Sequence, residues 1–331
     1  MSMLLSKANI ASLDLKNRVV MSPMRTYNVQ KEDGVLNPLH FAHYGARAVE
    51  QVGLVVIEVT AVEPDGRTTA NDLGLWNQKQ ADELKRLVDF LHSLGTKVGI
   101  QLGHAGRKAK DAKNVVAPSK TTPYNSEYLT PKALDKETIH KIQEAFVNAA
   151  HYANEAGVDM IELQGAEGFL LEEFLSSKLN HRNDEYGGML KDRYRFIKEI
   201  VQKIRGFYDG SFWVRLSLDD HIKENETKKL LESKQLGQWL EEDGIDCISV
   251  TTGGLVDNKP TSVYEGWQVP YAEAMKEAVS IPVAVVGRLL DPKLCEYILK
   301  RDKADLILEA HVFDQNARWV VDSAKELDEM L

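Results

Sequence analysis

Cysteine is almost absent: two thiols, Cys247 and Cys295, stand in 331 residues. That is too few for a disulfide framework, a four-thiolate zinc site or an iron–sulfur cluster. Positive charge is also in short supply. Lys plus Arg number 41 against 50 Asp plus Glu, a formal net charge of −9 with no basic tract to offset it, which argues against nucleic acid as a partner. Long apolar runs are missing, and none approaches the roughly 20 residues of a membrane span. Residues 1–20 carry Lys7, Asp14, Lys16 and Arg18 and no apolar stretch of signal-peptide length, so a reducing cytoplasmic location is expected, away from any membrane. No low-complexity tract or Pro/Gly/Ser-rich linker divides the chain, and residues 1–331 are read as one domain. Asn225-Glu226-Thr227 has the form of a glycosylation sequon, which matters only in an exported protein.

What is present is a repeating unit. Apolar residues make up 43% and charged ones 27%, ordinary globular usage that supplies a full core. Short runs rich in β-branched residues recur at 18–22, 54–59, 97–102, 160–163, 212–218, 247–251, 282–286 and 306–308. Segments of helical period lie between them, such as Leu84, Leu87, Val88 and Leu91, or Ile197, Ile200, Val201 and Ile204. Start and stop signals agree with that alternation: Asn37 before Pro38, Asn77 with Gln80, Asp135 before Ile139, then Gly95, Gly157 and Gly244. Runs that are apolar at nearly every position suit parallel strands buried on both faces. The pattern therefore predicts an α/β fold, a (β/α)₈ TIM barrel, with residues 1–17 closing its bottom. A doubly wound sheet is the rival, although its usual glycine-rich fingerprint is missing.

Polar side chains intrude on the buried runs at Glu58, Gln101, Glu162, Gln164, Arg215 and Glu309. In a barrel the strand C-termini face the mouth where active sites lie. Arg215 is the most telling of these. An arginine amid Phe212, Trp213, Val214 and Leu216 cannot shed its charge and requires an anionic or strongly accepting partner. Glu58 and Glu162 serve equally well as structural hydrogen-bonders inside the barrel. Two connections, 103–134 and 164–190, exceed the length of ordinary loops and leave strand C-termini. His40 and His43 have the i, i+3 spacing of metal ligands but no third ligand nearby, so no metal site is expected.

Those long connections carry a recognisable signature. Ile100-Gln101-Leu102-Gly103-His104-Ala105-Gly106-Arg107-Lys108 and Asn180-His181-Arg182-Asn183-Asp184-Glu185-Tyr186-Gly187-Gly188, with Arg193-Tyr194-Arg195-Phe196, resemble the Old Yellow Enzyme family of FMN-dependent oxidoreductases. Val20-Met21-Ser22-Pro23-Met24 and His40-Phe41-Ala42-His43-Tyr44 are similar to its short bacterial branch. The resemblance implies FMN across the barrel mouth, NADH or NADPH as reductant, and a small-molecule acceptor. Carried over by position, Ser22, Pro23, Met24 and Val59 lie along the flavin ring beside Arg25. Gln101 bonds the ring's pyrimidine edge, with Gln164 close by, and Arg215 faces N1 and O2. Gly287 and Arg288 after the seventh strand, with Ala310 and His311 after the eighth, are expected at the phosphate. Tyr27 matches a substrate-contacting position and offers a phenol to the chemistry.

Departures from the family pattern cluster at the substrate side. A His-x-x-His or His-x-x-Asn pair is replaced by Gln164 and Glu167, and a proton-donating tyrosine by Phe169. A cysteine after Ser-Pro-Met is Arg25, and a Gly-Arg pair at the phosphate is Ala310-His311. Two uncommon charges at neighbouring sites suggest an Arg25–Glu167 ion pair over the flavin; the competing expectation is a protonated Glu167 acting as catalytic acid in the tyrosine's stead. Loss of a positioned proton donor costs a factor of about 10² to 10⁴. Quinones, nitro compounds, free flavin and O₂ thereby gain over activated alkenes as acceptors. The alternative is a barrel that binds FMN weakly or not at all and acts as a partner subunit or ligand-binding protein. Homo-oligomerisation is compatible with either.

Overall fold

The structure, a computed structural model, describes residues 2–223 and 226–330; Asn225 of the sequon-like triplet lies outside them. An antiparallel hairpin comes first, β1 (Ala8–Ile10) paired with β2 (Leu13–Leu15). The predicted barrel then starts with β3 (Val19–Met21), β4 (Leu54–Ala61) and β5 (Lys97–Gly103). A short two-stranded ribbon, β6 (Val116–Ala117) and β7 (Lys132–Ala133), sits in the first long connection. The barrel continues through β8 (Met160–Gly165), β9 (Ser211–Ser217), β10 (Cys247–Thr251), β11 (Val283–Val285) and β12 (Leu306–Glu309), which closes on β3. All eight barrel pairings are parallel. The doubly wound alternative is thereby excluded.

Helices α1 (Pro38–Val49), α2 (Gln78–Ser93), α3 (Lys136–Ala156), α4 (Leu170–Leu175) and α5 (Leu190–Arg205) wrap the first half of the barrel. Helices α6 (Glu226–Glu242), α7 (Val269–Lys276), α8 (Pro292–Lys300), α9 (His311–Gln315) and α10 (Trp319–Glu326) wrap the second. Their ends follow from side-chain chemistry. Asn37 accepts the N–H of Leu39, and Asn77 that of Gln80, whose side chain returns the bond in a capping box. Asp135 caps α3, and Gly157 ends it with φ of +84°, a left-handed geometry that glycine adopts without Cβ conflict.

Strand residues alternate between two cores. Val55, Ile57, Val98, Ile100, Ile161, Phe212 and Val214 face outward onto Leu84, Leu87, Phe146 and Ile197 of the helices. Val20, Leu54, Val56, Met160, Trp213, Ala284, Leu306 and Leu308 face inward, and Ile10, Leu13 and Leu15 of the hairpin complete that cluster. Residues 1–17 were expected to close the bottom, and the hairpin does so. Full burial of each such side chain stabilises by about 1.5–3 kcal/mol, which explains why a three-residue strand persists there. The segment ahead of it is tied to α8. Glu296 accepts the Ser2 hydroxyl at 2.7 Å and the N–H groups of Met3 and Leu4 at 2.8 Å each. Burial raises its pKa, but those donors outweigh burial and bring it down to about 2. Both cysteines are free and buried. Among the described residues no helix is long and apolar enough to cross a membrane.

Candidate active site

A cavity of about 820 Å³ opens at the C-terminal ends of the barrel strands, the face where barrel chemistry resides. The connections carry the expected residues to its wall. Ser22, Pro23, Met24, Arg25 and Tyr27 follow β3, Glu167 follows β8, and Arg215 projects from β9; Gly287 and Arg288 follow β11, and Ala310 and His311 follow β12. Val59, Gln101, Gln164 and Phe169 are not part of that wall. Val59 and Phe169 pack with Ala105 and Ala109 in a small apolar cluster. Gln101 is buried, and its amide donates to Glu162 Oε1 at 2.6 Å, while the other carboxylate oxygen of Glu162 accepts from Ser249. Glu162 is thus a structural hydrogen-bonder, as is Glu58, which accepts from the Thr26 N–H at 2.8 Å and the Tyr44 hydroxyl at 3.2 Å.

Three wall residues adopt backbone geometry that side chains disfavour: φ is +55° at Tyr27, +57° at Glu167 and +53° at Arg288. Such strain persists only where surrounding contacts impose it, and it concentrates at functional sites. At Glu167 those contacts are visible. A Cβ on Gly254 would stand 2.5 Å from the Glu167 Cα, and one on Gly168 would stand 2.2 Å from the Gly254 oxygen, so the two loops touch backbone to backbone. Lys108 Nζ clamps them by donating to the carbonyls of Glu167 at 2.7 Å and Gly254 at 3.1 Å. Burial pushes the Lys108 pKa down to about 8. Arg107 bonds the Leu255 carbonyl and takes Glu173 with its backbone N–H. The Arg107-Lys108 signature therefore shapes the mouth.

The expected Arg25–Glu167 ion pair does not form. Glu167 Oε1 lies 3.4 Å from Arg215 Nη2 and Oε2 accepts from Gln164 Nε2 at 3.0 Å. The register explains this: Gln164 stands opposite Arg215 across the β8–β9 ladder, and Glu167 curls back three residues later. Burial raises the Glu167 pKa, but Arg215, Lys108 and Arg25 outweigh it and hold the carboxyl below the ordinary range. These cations favour the carboxylate over the protonated acid of the competing expectation.

Unmet polar atoms mark the cavity as a binding site. Arg25 Nη1, Arg215 Nε, Thr252 Oγ1, Gln268 Oε1 and Glu309 Oε1 all belong to wall residues and are buried without a partner. Each costs about 1–3 kcal/mol unless something fills it. Sequence reasoning missed Thr252, Trp267 and Gln268 as wall residues. Thr251-Thr252, a polar pair ending a buried run, was detectable by the rule that singled out Arg215; Trp267 and Gln268 arrive on a connection with no such mark. Glu309 stood out as a polar intrusion but was not assigned to the site. Burial raises its pKa to about 7.

Residues 7–329 match the NADH:flavin oxidoreductase / NADH oxidase family. The chain belongs to that family. It is 41% identical over 326 residues to an NADPH dehydrogenase of Geobacillus sp. (strain WCH70), covering 98% of this chain and 95% of that relative. A morphinone reductase solved in complex with tetrahydroNAD superposes with a TM-score of 0.83 at 25% identity, covering 99% of this chain and 91% of that one. A 2-naphthoyl-CoA reductase complex superposes at 0.91 with 21% identity, covering 98% of this chain and 52% of that one, a likeness of fold alone. The family is one of oxidoreductases that use FMN with NAD(P)H. The cavity fits a flavin in its chemistry: Ser22 to Met24, the free Nε of Arg215 and the unmet Thr252 and Gln268 oxygens all line it. The positions expected at the phosphate are less well furnished: Arg288 is exposed, His311 is 83% exposed, and Glu309 is buried beside them.

Proposed function

We propose that this oxidoreductase passes electrons from NAD(P)H to a small oxidant that needs no proton from the protein, such as a quinone, a nitro compound, free flavin or O₂. FMN, when bound, supplies the two-electron carrier between the nicotinamide and the oxidant. Arg215 anchors the electron-rich edge of the ring with its Nε, while its Nη1 donates to Ser22 Oγ at 3.1 Å and its Nη2 is held by Glu167. A fixed cation there favours the charge that reduction brings. Gly287, Arg288, Ala310 and His311 are assigned to the phosphate, and Tyr27 to the substrate.

The observation that carries the proton-free reading is the chemistry of the β8 connection. Phe169 has no proton to give and is 5% exposed; Glu167 lies 3.4 Å from Arg215, which favours its carboxylate form; Gln164 is tied to Glu167. Tyr27, the phenol at the wall, is 49% exposed and open to solvent, and this reading assigns it to substrate contact with protons drawn from water.

Anaerobic reduction by NADPH and by NADH, followed by a panel of oxidants, tests this. Quinones, nitro compounds or flavin should reoxidise the enzyme at least about a hundredfold faster than a cyclic enone, in line with the worth of a positioned proton donor. Equal or faster enone turnover would refute it. A colourless protein indifferent to excess FMN would favour the partner-subunit alternative, which the sparse phosphate end supports.

A further inference from the structure

The cations around the cavity are unequally engaged. Arg215 is divided between Ser22 and Glu167, and Lys108 is spent on two carbonyls. Arg25 is felt by Glu167 only as a charge at longer range and holds no contact of this kind. Among the described residues no carboxylate pairs with it and no acceptor takes its N–H groups, and Nη1 is buried and unmet. Its guanidinium lies 5.1 Å from the centroid of the Tyr27 ring, stacked on an aromatic face that leaves the in-plane donors free.

At Glu167 the polarity is reversed. Gln164 turns its NH₂ toward Glu167 Oε2 at 3.0 Å and keeps its Oε1 as a second acceptor; that oxygen is unmet. The β8 connection therefore offers acceptors where the resemblance leads one to expect donors for a substrate oxygen. Donor capacity has moved to the β3 connection.

We propose that Arg25 is the recognition residue for an oxyanion carried by the oxidant, and that the substrate class is a small planar acceptor bearing a carboxylate. The inference rests on the flavin reading above. Arg25 follows directly on Ser22 to Met24 at the ring end, so the oxyanion it meets belongs to the molecule lying against the ring. Glu167 repels the same anion, so a carboxylate-bearing ligand enters in one orientation. The 2′-phosphate of NADPH has the same chemistry and is the source to be distinguished.

The test titrates oxidised, FMN-loaded enzyme with benzoate and with its neutral counterpart benzamide, read by perturbation of the flavin absorbance. Benzoate should bind about tenfold or more tightly than benzamide, as a charge-assisted contact implies. R25Q and R25A should each lose about that factor for benzoate and little for benzamide, with R25K in between. Equal affinities in the wild type, or equal weakening of both ligands in the variants, would overturn the proposal. So would an R25Q enzyme that loses discrimination between NADPH and NADH but binds benzoate unchanged, because the phosphate would then be the ligand. Flavin colour and its bleaching by NADPH report on the proposed function, while the benzoate-to-benzamide ratio reports on Arg25.

Discussion

Glu167 Oε1 stands 3.4 Å from Arg215 Nη2, so the cation assigned to the electron-accepting edge of the flavin already carries a carboxylate. Charge shared in this way is withheld from the ring. E167Q, which keeps shape and removes charge, should therefore raise the two-electron potential of bound FMN, by about 30 mV for each tenfold change in relative affinity for the reduced form. Potentiometric titration measures it; a potential that stays put or falls contradicts the assignment.

Phe169 packs with Val59 in a small apolar cluster, and under the proposed function it stands where the resemblance expects a proton donor. F169Y adds one hydroxyl to a site of known shape. Its ratio of enone to quinone turnover should climb by about tenfold or more, within the range of general acid catalysis, as read by steady-state kinetics with both oxidants.

Gly254 meets Glu167 at a distance no Cβ tolerates, and its φ is +87°. G254A must push the β8 connection away or distort its own. A loss of about 1–3 kcal/mol in stability is expected from the backbone strain, together with weaker FMN binding; thermal melting and a flavin titration report the two effects. Unchanged values for both would show that the contact is dispensable.

The position proposed for the phosphate at the start of α9 carries no guanidinium; His311 stands there, 83% exposed and 3.9 Å from Asp314. H311R supplies one. FMN affinity should rise by about tenfold to a hundredfold, the worth of a charged hydrogen bond, while riboflavin, which has no phosphate, should gain nothing.

Stability should depend on pH in a definite window. Burial raises Glu58 and Glu309 to about 7 and Glu173 to about 8. Folded-state values above the unfolded ones mean stability that is fully present below the ordinary value of 4.5 and lost as pH rises to about 7 for Glu58 and Glu309 and to about 8 for Glu173. His40 and His43, lowered to about 4 by burial, act in the opposite sense, but only below the unfolded histidine value of about 6.5. Between about pH 6.5 and 8 the carboxyls act alone, and the melting temperature should fall. E58Q should make the slope below about pH 7 less negative relative to wild type; an identical slope would remove Glu58 from the account.

The barrel was legible because strands buried on both faces must be apolar throughout, and because Asn37, Asn77, Asp135 and Gly157 punctuate helices by chemistry that acts locally. Arg215 was legible for a related reason, since a guanidinium in a buried strand demands a partner. Which partner it has was not legible. Pairing Arg25 with Glu167 assumed that adjacency over the flavin decides, whereas the register of β8 on β9 brings Glu167 to Arg215. Trp267 and Gln268 reach the wall through folding of a long connection, and nothing in their immediate sequence reports that.

The hairpin stops the lower end of the barrel, so the pore through the strands is closed there and the cavity lies at the other end. Under the proposed function, donor and oxidant share that one cavity. An excess of either should crowd out its counterpart and slow the cycle.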